Sequence, residues 1–254
     1  MKDVFVHTRY GRVHCLEEGE GPAVFLFHTL GGSAYQFEET LPLLAKKYRA
    51  IAVDMIGHGD SDPLLRHMSM EEHSDAMMDV IDVLCDEAPI IFGQSVGGYM
   101  VADMALRYPE QIKRTIIGEA PPRVEENYAA TWLGSEKGWT QPTNTADEIK
   151  ARFREMTPEL LDRWNIDRNK AGAKAMMDIY WAIRDFDYLG CLKKMDDNMD
   201  AEIVVGERSV AAGPLFGRYK ELGLDKKFPI IVMKDVGHFI SIDDSQQLVD
   251  IIDR

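Results

Sequence analysis

The chain has 254 residues, 45% hydrophobic and 28% charged, the balance of a water-soluble globule long enough for one large α/β domain or two small ones. Its net charge of -14, from 43 acidic against 29 basic residues, repels phosphate backbones and anionic lipid heads, which argues against nucleic acid or a membrane surface as partner. The three cysteines (Cys15, Cys85, Cys191) lie far apart with no C-x-x-C spacing, no apolar run approaches about 18 residues, and the opening MKDVFVHTRYG lacks a signal-type apolar core, so the expected location is the reducing cytoplasm.

In chain order, DVFVHT and GRVHCLEEG flank a Tyr10-Gly11 turn and predict an N-terminal hairpin. Six further runs, AVFLFH (23–28), RAIAVD (49–54), PIIFG (89–93), TIIGE (115–119), AEIVVGE (201–207) and FPIIVMKD (228–235), are short, β-branched and apolar throughout, as strands covered on both faces are. Helix-start signals separate them: Ser33 with Gln36 and Ser69 with Glu72 fit the capping box, and Met77, Val80, Ile81 and Leu84 form one apolar stripe after the second of these. Strands alternating with helices imply right-handed crossovers and a mainly parallel sheet.

The alternation stops between about 121 and 187. This stretch carries another capping box, Thr145 with Glu148, an N-cap followed by proline at Thr157-Pro158, and many aromatics. It is expected to be a helical insertion over the sheet edge, dividing the chain into a core of 1–120 and 188–254 and a cap of 121–187. Trp132, Trp139, Trp164, Tyr180 and Trp181, with Thr29, are the candidate pocket residues, since binding sites favour aromatic walls.

Ser95 lies in Gly93-Gln94-Ser95-Val96-Gly97, with an apolar strand before it and a helix-forming VGGYMVADMALRYPE after it. Strand, sharp turn and helix is the context in which G-x-S-x-G marks a nucleophile, because the turn thrusts the hydroxyl out at the sheet's carboxyl edge and the helix N-terminus favours developing negative charge. A serine hydroxyl needs a base to accept its proton, and His238, just past the last strand and preceded by Gly237, is the candidate among seven histidines. His28 is the rival, with a position that reads as structural.

Four motifs in order, FLFHTLGGS (25–33), DMIGHGDS (54–61), GQSVGG (93–98) and VGHFISIDD (236–244), resemble those of the α/β-hydrolase fold family over nearly the whole chain. The resemblance implies an eight-stranded, mostly parallel sheet with the first strand antiparallel, flanked by helices, with a helical cap after strand six. It also implies an oxyanion hole from the backbone N–H groups of Val96 and Leu30. Thr29 departs from the family, which usually has glycine there; its Cβ alters the loop or narrows the pocket, or its hydroxyl donates to oxyanion or substrate.

The histidine needs a carboxylate partner. The family's usual aspartate after strand seven is replaced here by Ser209, in VVGERSVAAG. Some branches, including haloalkane dehalogenases and cofactor-free dioxygenases, carry the acid after strand six, and that place holds Glu119. Glu119 is therefore the expected acid; Glu207 and a degenerate site are the alternatives. The first functional reading is a serine hydrolase of a small ester, thioester or lactone, with Ser95, His238 and Glu119 catalytic. The second is a carbon–carbon bond hydrolase or cofactor-free dioxygenase on the same residues, and the third a slow or non-enzymatic ligand receptor of the same fold. No cofactor and no metal cluster is expected, the acidic runs DDNMDAE and IDDS reading as solvated faces. The partner is a small, partly apolar molecule, and oligomeric state is not readable.

Overall fold

The computed structural model describes residues 1–123, 125–210 and 213–254. These form eight strands: β1 (Lys2–Thr8), β2 (Gly11–Glu18), β3 (Ala23–Phe27), β4 (Arg49–Val53), β5 (Ile90–Gln94), β6 (Arg114–Gly118), β7 (Ala201–Gly206) and β8 (Ile230–Met233). They make one sheet in the order β1-β2-β4-β3-β5-β6-β7-β8. Antiparallel pairing is confined to the β1–β2 hairpin and the β2–β4 contact; every later pair is parallel. The helices are α1 (Thr40–Leu44), α2 (Met70–Leu84), α3 (Val96–Arg107), α4 (Glu125–Thr140), α5 (Ala146–Ile149), α6 (Pro158–Asp185), α7 (Tyr188–Lys194), α8 (Gly213–Glu221), α9 (Ile240–Asp243) and α10 (Ser245–Ile252). Among the described residues no helix is long and apolar enough to cross a membrane.

The uninterrupted apolar character of the central strands has a direct consequence. Along β3, Phe25 and Phe27 join the cluster under α2 and α3, whereas Val24 and Leu26 join the cluster under α1 and α10. Side chains of a strand alternate between faces, so two helical layers need apolar residues at both parities. The α2 stripe packs as expected, with Met77, Val80 and Ile81 buried, and the Ser69–Glu72 capping box is formed. The Thr145–Glu148 box and the Thr157 cap with Pro158 are formed as well. Ser33 and Gln36 do not form a box: Ser33 accepts from the Tyr35 N–H, and Gln36 turns inward to receive the Thr29 N–H at 3.0 Å. A short 3₁₀ turn replaces the helix there, which frees Gln36 to brace the loop after β3.

The expected 121–187 insertion contains helices and no strand among its described residues. Its long helix α6 bends at Gly172, whose φ of 69° and ψ of 167° interrupt the helical run. Asp167 of α6 takes a hydrogen bond from the Ser33 hydroxyl at 2.9 Å, tying this segment to the loop after β3. The Asp167 carboxyl is buried with its other oxygen unpartnered, and burial pushes its pKa up to about 6. All three cysteines are free, with Cys15 and Cys191 buried.

Two glycines are dictated by close approach. A Cβ on Gly59 would collide with the Asp54 carboxylate, which is folded back under this turn and accepts the N–H groups of Ala34 and Asp60. That clamp is the physical content of the DMIGHGDS motif. A Cβ on Gly206, the last residue of β7, would collide with the backbone of Val236 and Gly237, because the chain leaving β8 passes over the tip of β7 on its way to His238.

Replacing Gly206 by alanine is expected to cost about 1–3 kcal/mol in urea unfolding. Gly134→Ala, in exposed α4 with open space around it, is expected to be neutral or stabilising by up to ~1 kcal/mol. Asp167 holds a proton in the folded state between the pKa of an ordinary aspartate and about 6, where the unfolded chain has released it. Its contribution therefore falls as pH rises through that window, and Asp167→Asn is expected to stabilise the protein at pH 7 by up to ~3 kcal/mol while changing little at pH 4. Equal Asn and wild-type stability at pH 7 would contradict this account of the buried carboxyl.

Candidate active site

The site is built from the carboxyl ends of adjacent strands. In β5 and β6, Gln94 is level with Gly118, and in β6 and β7, Gly118 is level with Val204, so the residues after β5 and β6 leave the sheet side by side. Neighbouring strands run about 4.8 Å apart. Ser95 follows β5 with φ 57° and ψ -111°, a strained conformation for a residue with a Cβ, and α3 begins at the next residue. Its N–H is held by the Gly118 carbonyl at 2.8 Å. Glu119 follows β6, also with a positive φ, 52°, and its N–H is held by the Val204 carbonyl at 2.8 Å. Both strained residues are thus pinned through their N–H groups to the neighbouring strand.

The Glu119 carboxylate is fully buried. Oε1 accepts the Gly206 N–H at 2.6 Å. Oε2 accepts the Ser209 hydroxyl at 2.6 Å and lies 2.8 Å from His238 Nδ1. Ser209, which stands where the resemblance leads one to look for an aspartate, therefore hydrogen-bonds to Glu119. Nδ1 of His238 is turned to Glu119, and His238 and Ser95 line the same cavity. Glu207, the alternative acid, is exposed and accepts the Asp235 N–H at 2.9 Å, a turn contact unrelated to the histidine.

The His238 loop is fixed from two sides. The His238 N–H donates to the Arg152 carbonyl at 2.8 Å, and the His238 carbonyl accepts the Gln94 side-chain amide at 2.8 Å. Gln94 Oε1 in turn receives the Ser241 hydroxyl at 3.0 Å and the Gln36 amide at 3.3 Å. This buried Gln94–Gln36–Ser241 network joins the elbow, the loop after β3 and the histidine loop; sequence reading missed it, since glutamine at these places carries no periodic or motif signal of its own.

His28 is buried, with Nδ1 on the Thr29 carbonyl at 2.7 Å and Nε2 accepting the Met55 N–H at 3.0 Å. Burial depresses its pKa, so it is a neutral brace for the loop. His58, packed beside it, is pushed down to about 3 by burial. The loop itself closes as a turn, Gly32 N–H to Thr29 carbonyl at 3.0 Å, and places Leu30 at the cavity. Val96 is the first residue of α3, where a helix leaves its N–H groups without intrahelical acceptors. The Thr29 hydroxyl donates to Gln36 Oε1 at 2.9 Å, so its proton is committed inward and not toward a substrate.

A cavity of about 240 Å³ opens over Ser95 and His238. Thr29, Leu30, Tyr99 and Phe239 line it from the core, and Arg123, Trp139, Arg152, Trp164, Tyr180 and Ile183 from the helical segment. Of the aromatics expected at the pocket, Trp139, Trp164 and Tyr180 are there. Trp132 and Trp181 are not: they pack on each other and on Arg184 behind Tyr180, with Trp181 40% exposed. Composition marks a helix as aromatic but not which face of it meets the cavity. Arg123 and Arg152 were not anticipated.

One trio of metal-ligating type exists among the described residues, His14, Asp54 and Asp60. The Asp54 oxygens already take the N–H groups of Ala34 and Asp60 and His14 Nδ1 at 2.7 Å, and His14 Nε2 meets Asp3 at 3.0 Å, which is the bonding of a turn clamp.

Comparison with known proteins agrees with this fold. Residues 22–166 match the family described as the alpha/beta hydrolase fold. A pimeloyl-[acyl-carrier protein] methyl ester esterase of Neisseria meningitidis is 28% identical over 229 residues, covering 85% of this chain and 70% of that protein. The bifunctional epoxide hydrolase 2 of Mus musculus is 35% identical over 105 residues, 40% of this chain and 19% of that one; the chain thus spans well under half the length of some curated relatives that it matches. Among solved structures, E-2-(acetamidomethylene)succinate hydrolase superposes with a TM-score of 0.81 at 19% identity, covering 100% of this chain and 99% of that one, a likeness of fold. The chain belongs to the alpha/beta hydrolase fold family.

Proposed function

We propose that the protein is a serine hydrolase that cleaves a small ester, thioester or lactone through an acyl-enzyme, with the 121–187 segment as its cap. The observation that carries the reading is the 2.8 Å contact between Glu119 Oε2 and His238 Nδ1, made beside a serine held on a strained strand-to-helix turn.

The chemistry follows from these atoms. His238, with Nδ1–H directed at Glu119, presents Nε2 as base and accepts the Ser95 hydroxyl proton as Oγ attacks the substrate carbonyl carbon. Glu119 holds the tautomer and stabilises the imidazolium. The Val96 and Leu30 N–H groups receive the negative charge on the former carbonyl oxygen, and fixed backbone dipoles do so without reorganising. Collapse of the tetrahedral intermediate expels the alcohol or thiol, protonated by His238, and leaves the acyl group on Ser95. Water then attacks the acyl-enzyme with His238 as base, which releases the acid and restores the serine. The small cavity favours a short substrate, since pockets that take drug-sized ligands run to roughly 300–1,000 Å³.

On a panel of short p-nitrophenyl esters, Ser95→Ala is expected to abolish turnover, and unchanged turnover would refute the assignment. Glu119→Gln is expected to lower kcat on the order of 10³-fold or more, while Glu207→Gln stays within about twofold. Because Ser209 faces Glu119 at 2.6 Å, the double variant Glu119→Ala, Ser209→Asp is expected to recover at least about tenfold of the activity lost in Glu119→Ala. No recovery would mean that Glu119 acts through packing and not through its charge.

A further inference from the structure

The walls of the cavity contain an unbalanced charge. Arg123 and Arg152 both line it alongside Ser95 and His238. Arg152 is tied to the catalytic loop by its own carbonyl, which takes the His238 N–H. Its guanidinium lies over the Trp139 ring at 5.4 Å. Arg123 reaches the Tyr180 hydroxyl at 3.4 Å and lies over the Tyr128 ring at 5.8 Å. The ion pairs of this part of the molecule, Lys150–Asp147, Arg154–Asp244 and Lys170–Asp60, bypass both arginines. Among the described residues, the two arginines meet aromatic faces, a phenol and backbone.

In a chain with 43 acidic residues, two cations facing one cavity without a carboxylate are not a by-product of composition. Both guanidiniums belong to the wall of this one cavity, and burial, with a smaller contribution from Arg123, presses the Arg152 pKa down. Arginines left without counter-ions in a partly desolvated space cost free energy, and an anion placed between them offsets that cost. A guanidinium is a planar fork matched to a carboxylate, and the faces of Trp139 and Tyr128 hold the forks in place while consuming none of their N–H donors, of which Arg123 spends one on the Tyr180 hydroxyl. The aromatic and aliphatic walls then suit a short carbon chain between this anion site and Ser95.

We infer that Arg123 and Arg152 form a carboxylate-binding subsite, and that the substrate is a small ester carrying a second, free carboxylate, such as a half-ester of a short dicarboxylic acid. This rests on the serine hydrolase reading for the reacting end of the molecule, but the anion site itself does not. Arg123 and Arg152 are positioning residues: they seat the substrate so that its ester carbonyl lies at Ser95.

The test compares p-nitrophenyl hydrogen glutarate with neutral p-nitrophenyl pentanoate, corrected for spontaneous hydrolysis. It also measures glutarate binding by calorimetry to wild type, Ser95→Ala, Arg123→Gln, Arg152→Gln and Arg152→Lys. The anionic ester is expected to be preferred at least about tenfold in kcat/KM, with the preference falling about tenfold in either Gln variant, chiefly through KM, and partly kept in Arg152→Lys. Glutarate is expected to bind wild type and Ser95→Ala alike and to bind both Gln variants at least about tenfold more weakly. If neutral esters are cleaved as well as the anionic one and glutarate does not bind wild type, the subsite is refuted while the hydrolase reading stands. If glutarate binds through the arginines but no ester is cleaved, the hydrolase reading falls and the anion site survives.

Discussion

The site depends on one contact between chain ends that are far apart in sequence: Glu119 at the tip of β6 and His238 in the loop beyond β8, 2.8 Å apart and 119 residues from each other. Two conditions make it possible. The chain leaving β8 must cross back over β7, which it can do only because Gly206 has no side chain in its path. The buried carboxylate must also find hydrogen-bond partners, and it meets the Gly206 N–H, the Ser209 hydroxyl and the imidazole together. A buried carboxylate without such donors would take up a proton and lose its use as partner to an imidazolium.

This arrangement also gives a physical reading of Ser209. A neutral side chain in that place is not simply the loss of an acid. It supplies a hydrogen bond to Glu119, the carboxylate at the adjacent strand end that meets the Nδ1 edge of the imidazole. Strand tips a few ångströms apart offer similar approaches to one loop, so a carboxylate can reach the imidazole from β6.

The helical segment is coupled to the same loop from above. Phe153 stacks on Phe239 at 4.3 Å with rings 6° apart, Trp164 meets Phe239 edge-on, and the Arg152 carbonyl holds the His238 N–H. A change in the segment is therefore felt at His238 as well as at the cavity wall. Charge follows the same division: the acidic surplus is carried elsewhere in the molecule, whereas the wall opposite Ser95 presents arginines.

The eight strands, the alternation that stacks helices on both faces, the elbow at Ser95 and the turn signals at Ser69, Thr145 and Thr157 were legible in the sequence because each is local. A strand needs a run of apolar residues, a cap needs two residues three apart, and the elbow needs small neighbours. Gln36 was misread as part of such a cap because its competing partner, the Thr29 N–H, is supplied by a loop whose path the local pattern does not encode. The choice between Glu119 and Glu207 could be posed from sequence, by noticing the serine at 209. Folding separates the two geometrically, since side chains on successive strands have no sequence relation to the loop that comes to cover them. The same holds for the pocket wall: sequence composition determined that residues 121–187 would be helical and aromatic, but only the packing of α4 and α6 turned Trp139 and Tyr180 inward and left Trp181 on the surface, and only the fold brought Arg123 and Arg152 to the same cavity as Ser95.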